Sequence, residues 1–561
     1  MRTALLSHSF VLFSCGLTAS FLAGCGDGDT SPNSVAPDVA TPDGATPDGA
    51  TPDGATPDGA TPDGTASDTT TPSAPRPFPS DFLFGTAVAG FQVDMGCPTL
   101  PASECEDPNS DWYVFVTSPE TLQSAGAHLA GDPPSSGPGF WELYPEDMTR
   151  AKEELGNNAL RISFEWSRIF PSATDAAGSF AELKALASPK ALAGYHAQLA
   201  KLKALGMTPL VTLNHYTLPT WIHDGVACHL DLASCSPRGW VDQARTVKEI
   251  AKYAGFVAQE FGAEVDLWAT ENEPFAVILP GYLLPSAERT NPPARSLATA
   301  EAKTVFAALI EAHARMYDAI KAGDTVDLDG DGEPAEVGLV YAMAPVKAMD
   351  PQNPLDVEAA KNVFYLWNMA FLNAVVKGDF DAELDGSAVR REDLAGRMDW
   401  LGINFYTRIT VEGLETALLP DLSPLTTFNA LTLVPWEDYT RGIYEMAMIV
   451  KGFGIPAYIT ETGTADPDDS GKQSKWLVET LTWIHEAIGD GADVRGYFYW
   501  TLIDNYEWNH GMEIRMGLYA VDTGSVEKPR SPRSGVATYR EITSAGGITA
   551  ALMSAWPVAA E

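Results

Sequence analysis

Two glutamates hold the plainest chemistry in this chain. Glu273 sits in Thr270-Glu271-Asn272-Glu273-Pro274 and Glu461 in Ile459-Thr460-Glu461-Thr462-Gly463, and each segment closes a mostly apolar run, 265–269 and 455–458 respectively. A carboxyl group where a buried strand gives way to a loop is aimed at the mouth of a parallel barrel and not at its packed interior. Two such groups suit acid and base work on an acetal: one protonates the departing oxygen, and the other meets the developing oxocarbenium ion.

A pair of this kind needs a scaffold. Short apolar or aromatic runs recur at 82–92, 159–166, 208–215, 265–270, 337–342, 400–406, 457–460 and 497–502, with helical periodicity between them at 145–155, 192–205, 247–261, 297–322 and 474–489. Eight runs alternating with helices predict a single (β/α)8 barrel in preference to a doubly wound sheet. The C-terminal ends of these runs deliver Gln92, Arg161 with Glu165, His215, Glu273, Tyr406, Glu461 and Glu507. Any one of them alone reads as a satisfied polar group of the core; their convergence on one end of a barrel reads as a site.

With their neighbours, these residues form Phe84-Gly85-Thr86-Ala87-Val88-Ala89-Gly90-Phe91-Gln92, Leu160-Arg161-Ile162-Ser163-Phe164-Glu165-Trp166-Ser167-Arg168-Ile169 and Leu213-Asn214-His215-Tyr216. Further along come the two glutamate motifs, Gly402-Ile403-Asn404-Phe405-Tyr406 and Trp500-Thr501-Leu502-Ile503-Asp504-Asn505-Tyr506-Glu507-Trp508. In this order the segments resemble glycoside hydrolase family 1, the β-glucosidase type of retaining barrel, over roughly 78–542. The resemblance implies Glu273 as general acid/base and Glu461 as nucleophile, with carboxyl groups about 5–5.5 Å apart, and Glu273 protonated at the start of the cycle. It implies Arg161 as a permanent cation beside the nucleophile, and Asn404 and Tyr406 as groups that orient the carboxylates. Gln92, His215, Asn272 and Glu507 are expected on sugar hydroxyls, Trp500 under the CH face of the ring, and Trp508 as a further contact. A carboxylate at Glu507 would repel a 6-phosphate, so unphosphorylated glycosides are implied, and no cofactor is implied for catalysis.

The chain departs from the family pattern at Asp94, where Glu is common, at Thr462, where Asn is usual, and at Met516, where an aromatic residue is usual. These bear on the outer pocket and substrate preference, since both glutamates stand. Glu271 occupies a position that is usually apolar or small, and is expected to be a buried or supporting partner of the acid. Glu165 and Asp504 are expected as supporting groups.

A net charge of −39 over 561 residues opposes nucleic acid as a partner. Residues 1–24 have the layout of a secretory signal, and Leu22-Ala23-Gly24-Cys25 resembles a bacterial lipoprotein signal that would place a lipid anchor on Cys25. Residues 25–76 contain five Ala-Thr-Pro-Asp-Gly repeats, too polar and proline-rich to collapse, and are expected as a tether ahead of a barrel at 77–545 and a tail at 546–561. Cys97 with Cys105 and Cys228 with Cys235 form two close pairs, read as local disulfides; a four-thiolate metal site is the rival and would need tighter spacing. Asp327, Asp329 and Asp331 occupy the first, third and fifth places of a calcium loop, but Gly338 stands at the twelfth. A structural calcium site and a solvated acidic turn fit that pattern equally.

The sequence thus predicts an exported lipoprotein of the cell envelope, periplasmic or surface-facing. It would remove terminal β-linked sugars, glucose first, from oligosaccharides or small glycosides. The rivals are β-galactoside or β-fucoside preference, transfer to an acceptor alcohol, and a surface glycan-binding protein without turnover, against which both glutamates count.

Overall fold

Nearly continuous burial marks the strands of the barrel, because each has a helix on one side and the barrel interior on the other. They are β1 (Leu83–Ala87), β2 (Ala159–Ser163), β3 (Thr208–Asn214), β4 (Leu267–Asn272), β5 (Glu336–Ala342), β6 (Trp400–Asn404), β7 (Ala457–Thr462) and β8 (Val494–Trp500). All run parallel, each beside the next in chain order, and β8 returns to β1 with Trp500 opposite Ala87. The result is a closed (β/α)8 barrel. The computed structural model describes residues 74–415 and 437–558. Cys25, the signal segment and the five repeats lie outside the described residues.

The outer layer includes α1 (Phe140–Glu153), α2 (Pro189–Leu205), α3 (Gln243–Phe261), α4 (Thr299–Gly323), α5 (Pro354–Phe364), α6 (Gly442–Phe453), α7 (Lys472–Gly489) and α8 (Ser534–Ala545). Their boundaries have local causes. On α2 the Ser188 side chain accepts from the Ala191 N–H, Pro189 opens the first turn, and Gly206 at φ 64° ends the helix. On α3 the spacing Val247, Ile250, Ala254, Val257, Phe261 puts one apolar stripe against the barrel. Among the described residues no helix is long and apolar enough to cross a membrane.

Inside the barrel Ala159, Leu210, Leu267, Ala269, Val340, Trp400, Tyr458 and Phe498 pack together. Trp400 fits only because its neighbour across the sheet is Gly338, where a Cβ would lie 2.3 Å from the indole ring. Large and small residues thus fill the base of the barrel and leave its C-terminal mouth for polar groups.

Most strand bounds shift by a few residues from the predicted runs, as at 457–462 and 494–500, and two of the shifts shape the site. The run 82–92 yields β1 only to Ala87, and the chain then turns into a short helix, Gly90–Val93. The cause is capture of its first N–H groups by side chains of the β2 end: Gly90 donates to Ser163 Oγ at 2.6 Å and Phe91 to Glu165 Oε1 at 3.3 Å. In turn, β4 extends two residues past the predicted 265–270, which carries Asn272 into the sheet. Residues 547–548, within the expected tail, pair antiparallel with 76–77, and the following helix Ala550–Ala555 buries Leu552 and Met553.

Candidate active site

Glu273 follows β4 in a left-handed conformation, φ 48° and ψ 63°, and Pro274 then opens a one-turn helix. Its side chain accepts hydrogen bonds from the Tyr216 hydroxyl and from Asn404 Nδ2, the latter at 2.8 Å. Glu461, on β7, accepts from Arg161 Nη1 at 2.5 Å and from the Tyr406 hydroxyl at 2.8 Å. Asn272 ties the two together: its Oδ1 accepts from Arg161 Nη2 at 2.7 Å and from Asn404 Nδ2 at 3.1 Å. The carboxyl groups from β4 and β7 are therefore linked through Arg161 of β2, Asn272 of β4 and Asn404 of β6. Thr460 fixes the Asn404 amide by donating to its Oδ1 at 2.8 Å. Behind the nucleophile motif, a Cβ at Gly463 would come within 2.0 Å of the Trp500 carbonyl oxygen, so only glycine fits there.

Electrostatics follow from this packing. Burial and the charge of Glu273 push the Glu461 carboxyl up to about 7, while Arg161 and the Tyr406 hydroxyl pull against them. Burial, with the adjacent carboxylates, raises the Tyr216 and Tyr406 phenols well above their ordinary range, so both are donors. Burial and the field of Arg161 hold His215 well below the usual histidine range. That imidazole is neutral; its Nε2 accepts from Asn272 Nδ2 at 3.2 Å, which leaves the proton on Nδ1. Nδ1 is buried and has no partner among the described residues.

The wall is aromatic and polar. His215 stacks on Trp500 at 5.9 Å and on Trp508 at 5.9 Å, and Trp508 packs against Phe91 at 5.6 Å and Trp112 at 4.7 Å. Glu507 Oε2 accepts from Gln92 Nε2 at 3.0 Å and Asn505 Nδ2 at 2.8 Å, and its Oε1 faces Arg289 Nη1 at 3.4 Å. The buried Gln92 Oε1 has no partner among the described residues. Tyr216, Glu273 and Trp508 all hold positive φ without being glycine, the kind of backbone outlier that collects at functional sites.

The predicted residues Gln92, Arg161, His215, Asn272, Glu273, Asn404, Tyr406, Glu461, Trp500, Glu507 and Trp508 fall in this one constellation. Asp327, Asp329 and Asp331 do not. They precede β5 at the other end of the barrel, exposed, with carboxylate oxygens within 4.8 Å of one another. A cleft of about 810 Å³ at that end, lined among others by Lys203, Asp266, Asp331 and Arg495, contains none of the mouth residues. Cys97–Cys105 and Cys228–Cys235 are disulfides, in the loops after β1 and β3.

Supporting roles vary. Asp504 is held by both nitrogens of the Arg533 fork at 2.9 Å, and Glu165 accepts from Thr217 at 2.6 Å while burial pushes it to about 7. Asp94, also pushed to about 7 by burial, lies 3.5 Å from Arg168. Thr462 accepts from Trp476 Nε1 at 2.9 Å, and Met516 is buried in one cluster with Trp500. Glu271 is buried, yet neither of its oxygens has a partner among the described residues, so it supports no other side chain by hydrogen bonding. Sequence reasoning assigned no role to Tyr216, Asn505 or Arg289. The first two stand inside quoted motifs, whereas Arg289 lies in a loop with no local signal.

Comparison with known proteins agrees with the geometry. The model of the family described as Glycosyl hydrolase family 1 matches residues 74–548. A β-galactosidase of Pyrococcus woesei is 35% identical over 514 residues, covering 84% of this chain and 98% of that protein. The crystal structure of a β-glycosidase from the hyperthermophile Thermosphaera aggregans superposes with a TM-score of 0.72 at 30% identity, covering 86% of this chain and all of that one. A β-glucosidase from Pyrococcus furiosus gives a TM-score of 0.70 at 30% identity, covering 85% and 98% of the two chains.

Proposed function

The chain belongs to glycosyl hydrolase family 1, and from that premise we propose that it removes terminal β-linked sugars, glucose before galactose or fucose, through a covalent glycosyl-enzyme on Glu461. It is an O-glycosyl hydrolase of the retaining type. The observation that carries the assignment of roles is the Arg161–Asn272–Asn404 chain: the guanidinium sits on Glu461 and favours its charged form against burial, and the amide sits on Glu273.

Glu461 attacks the anomeric carbon while the Glu273 proton goes to the glycosidic oxygen, so that the C–O bond breaks as the ester bond forms. Formation of the ester removes the charge that Arg161 and Tyr406 faced. Glu273, now ionised, takes a proton from water, whose oxygen displaces Glu461 and frees the sugar with its configuration retained. No cofactor enters. Asn272, beside both carboxyls, holds the 2-hydroxyl, where hydrogen bonds strengthen toward the transition state. His215 Nδ1–H and Gln92 Oε1, a buried donor and a buried acceptor without partners among the described residues, are completed by sugar hydroxyls.

The test is hydrolysis of 4-nitrophenyl β-glucoside, β-galactoside and β-fucoside, with the first product anomer read by NMR. Glu461→Gln should release nothing, and Glu273→Ala should regain turnover with azide as nucleophile. A first product of inverted configuration would refute the roles. Relatives with β-galactosidase and β-glucosidase names make the galactoside arm of that panel a real competitor. The export reading rests on Leu22-Ala23-Gly24-Cys25, the polar repeats and the two disulfides, which favour an oxidising compartment. Radiolabelled palmitate should enter the wild type and not Cys25→Ala. The Asp327, Asp329, Asp331 loop is proposed as a structural calcium site, supported by the convergence of its carboxylates.

A further inference from the structure

Depth orders the residues of the pocket. Gln92, Asn272 and His215 are essentially inaccessible, whereas the Glu507 side chain is 15% exposed and the Arg289 side chain 25%. Arg289 therefore stands on the outer side of Glu507, in the loop that follows the acid/base residue. Its guanidinium carbon lies 5.4 Å from the ring of Tyr216, which bonds Glu273, and 5.5 Å from that of Trp508.

Its pairing is loose beside the tightest arginine pairs of this protein. Arg245 grips Asp175 through two nitrogens at 2.8 and 2.9 Å, and Arg533 grips Asp504 at 2.9 Å through both of its own. Arg289 meets Glu507 through one nitrogen at 3.4 Å, and the remaining N–H groups of its guanidinium bond no other group among the described residues. A guanidinium has five donors and prefers a bidentate carboxylate at about 2.7–2.9 Å. Here most of that capacity is unused.

Resting on the glycosidase reading, we propose that Arg289 recognises a carboxylate on the leaving group, so that preferred substrates are β-glycosides of acidic aglycones. The protein carries a net charge of −39 and the mouth holds Glu273, Glu461 and Glu507, so an anionic aglycone meets repulsion that Arg289 locally offsets. The preference is accordingly moderate and sensitive to salt.

The experiment compares 4-carboxyphenyl and 4-carbamoylphenyl β-glucosides, near-isosteres that differ in charge, in wild type, Arg289→Lys and Arg289→Met. The ratio of their kcat/KM values should fall about two- to fivefold in Arg289→Met, the range for a partly exposed charge pair, and fall less in Arg289→Lys. A purely structural loss through Glu507 would lower both substrates together and leave the ratio alone. Arg289→Gln, measured alongside, keeps the test open if Arg289→Met does not fold. A ratio unchanged in the folded variants overturns the proposal while turnover of both compounds leaves the glycosidase reading standing. Failure of the wild type to cleave either compound would overturn both.

Discussion

Glu271→Met should stabilise the protein, and by more at higher pH. The Glu271 carboxyl is 1% exposed and bonds nothing among the described residues; burial alone pushes it well above its ordinary value of 4.5. A buried polar group without a partner costs about 1–3 kcal/mol even when neutral. Methionine has a similar length, no hydrogen-bonding demand and enough flexibility to fill the same space. Because the folded-state pKa lies above the unfolded one, the folded form binds the proton more tightly. The wild type keeps its full stability below 4.5 and loses it as pH rises toward the folded value, by up to about 1.4 kcal/mol per pH unit. Glu271→Met has no such group, so its advantage is smallest near pH 4.5 and widens above it. Urea midpoints at pH 5 and pH 7, or inactivation half-lives at fixed temperature if unfolding is irreversible, measure the difference. An advantage that does not grow with pH, or a loss of stability, would show that the carboxyl is solvated or paired, and the reasoning would fail.

Arg161→Met removes the cation that pulls against burial at the Glu461 carboxyl, which stands at about 7. Glu461 must be ionised to attack, so activity is lost as pH falls through its pKa, and in the variant that acid limb should move to higher pH; an unmoved limb would deny the coupling. Tyr406→Phe deletes the 2.8 Å donor to Glu461 Oε2 and should cost about 10- to 150-fold in kcat/KM for the glycosylation step, the range of a hydrogen bond to a charged group. Millimolar calcium should raise the melting temperature of the wild type and not of Asp329→Asn; equal responses would remove the ion from that loop.

What could be read from the sequence was local. Thr270-Glu271-Asn272-Glu273-Pro274 announces its own geometry, because proline can open a helix and the residue before it cannot continue one. The barrel was legible for the same reason, each strand being a short buried run followed by a helix. Glu271 shows the limit: a period of two places it beside Glu273 in the alternation, yet whether any group reaches its oxygens depends on what surrounds β4 once the barrel has closed.

The linkage between the carboxyls depends on closure of the barrel. Arg161, Asn272, Asn404 and Glu461 come from β2, β4, β6 and β7, and the last two stand opposite each other only through a register shift after Ile403. No window of sequence contains that shift. Arg289 is further removed, since its loop has neither periodicity nor motif, and its relation to Glu507 arises from where the chain ends of two distant strands meet above the mouth. Motifs thus reveal what reacts, because the chemistry needs those residue types in that immediate context. Selectivity among aglycones is set by loop residues whose positions are decided only once the barrel has closed, and there the chain can depart from its relatives without disturbing Glu273 or Glu461.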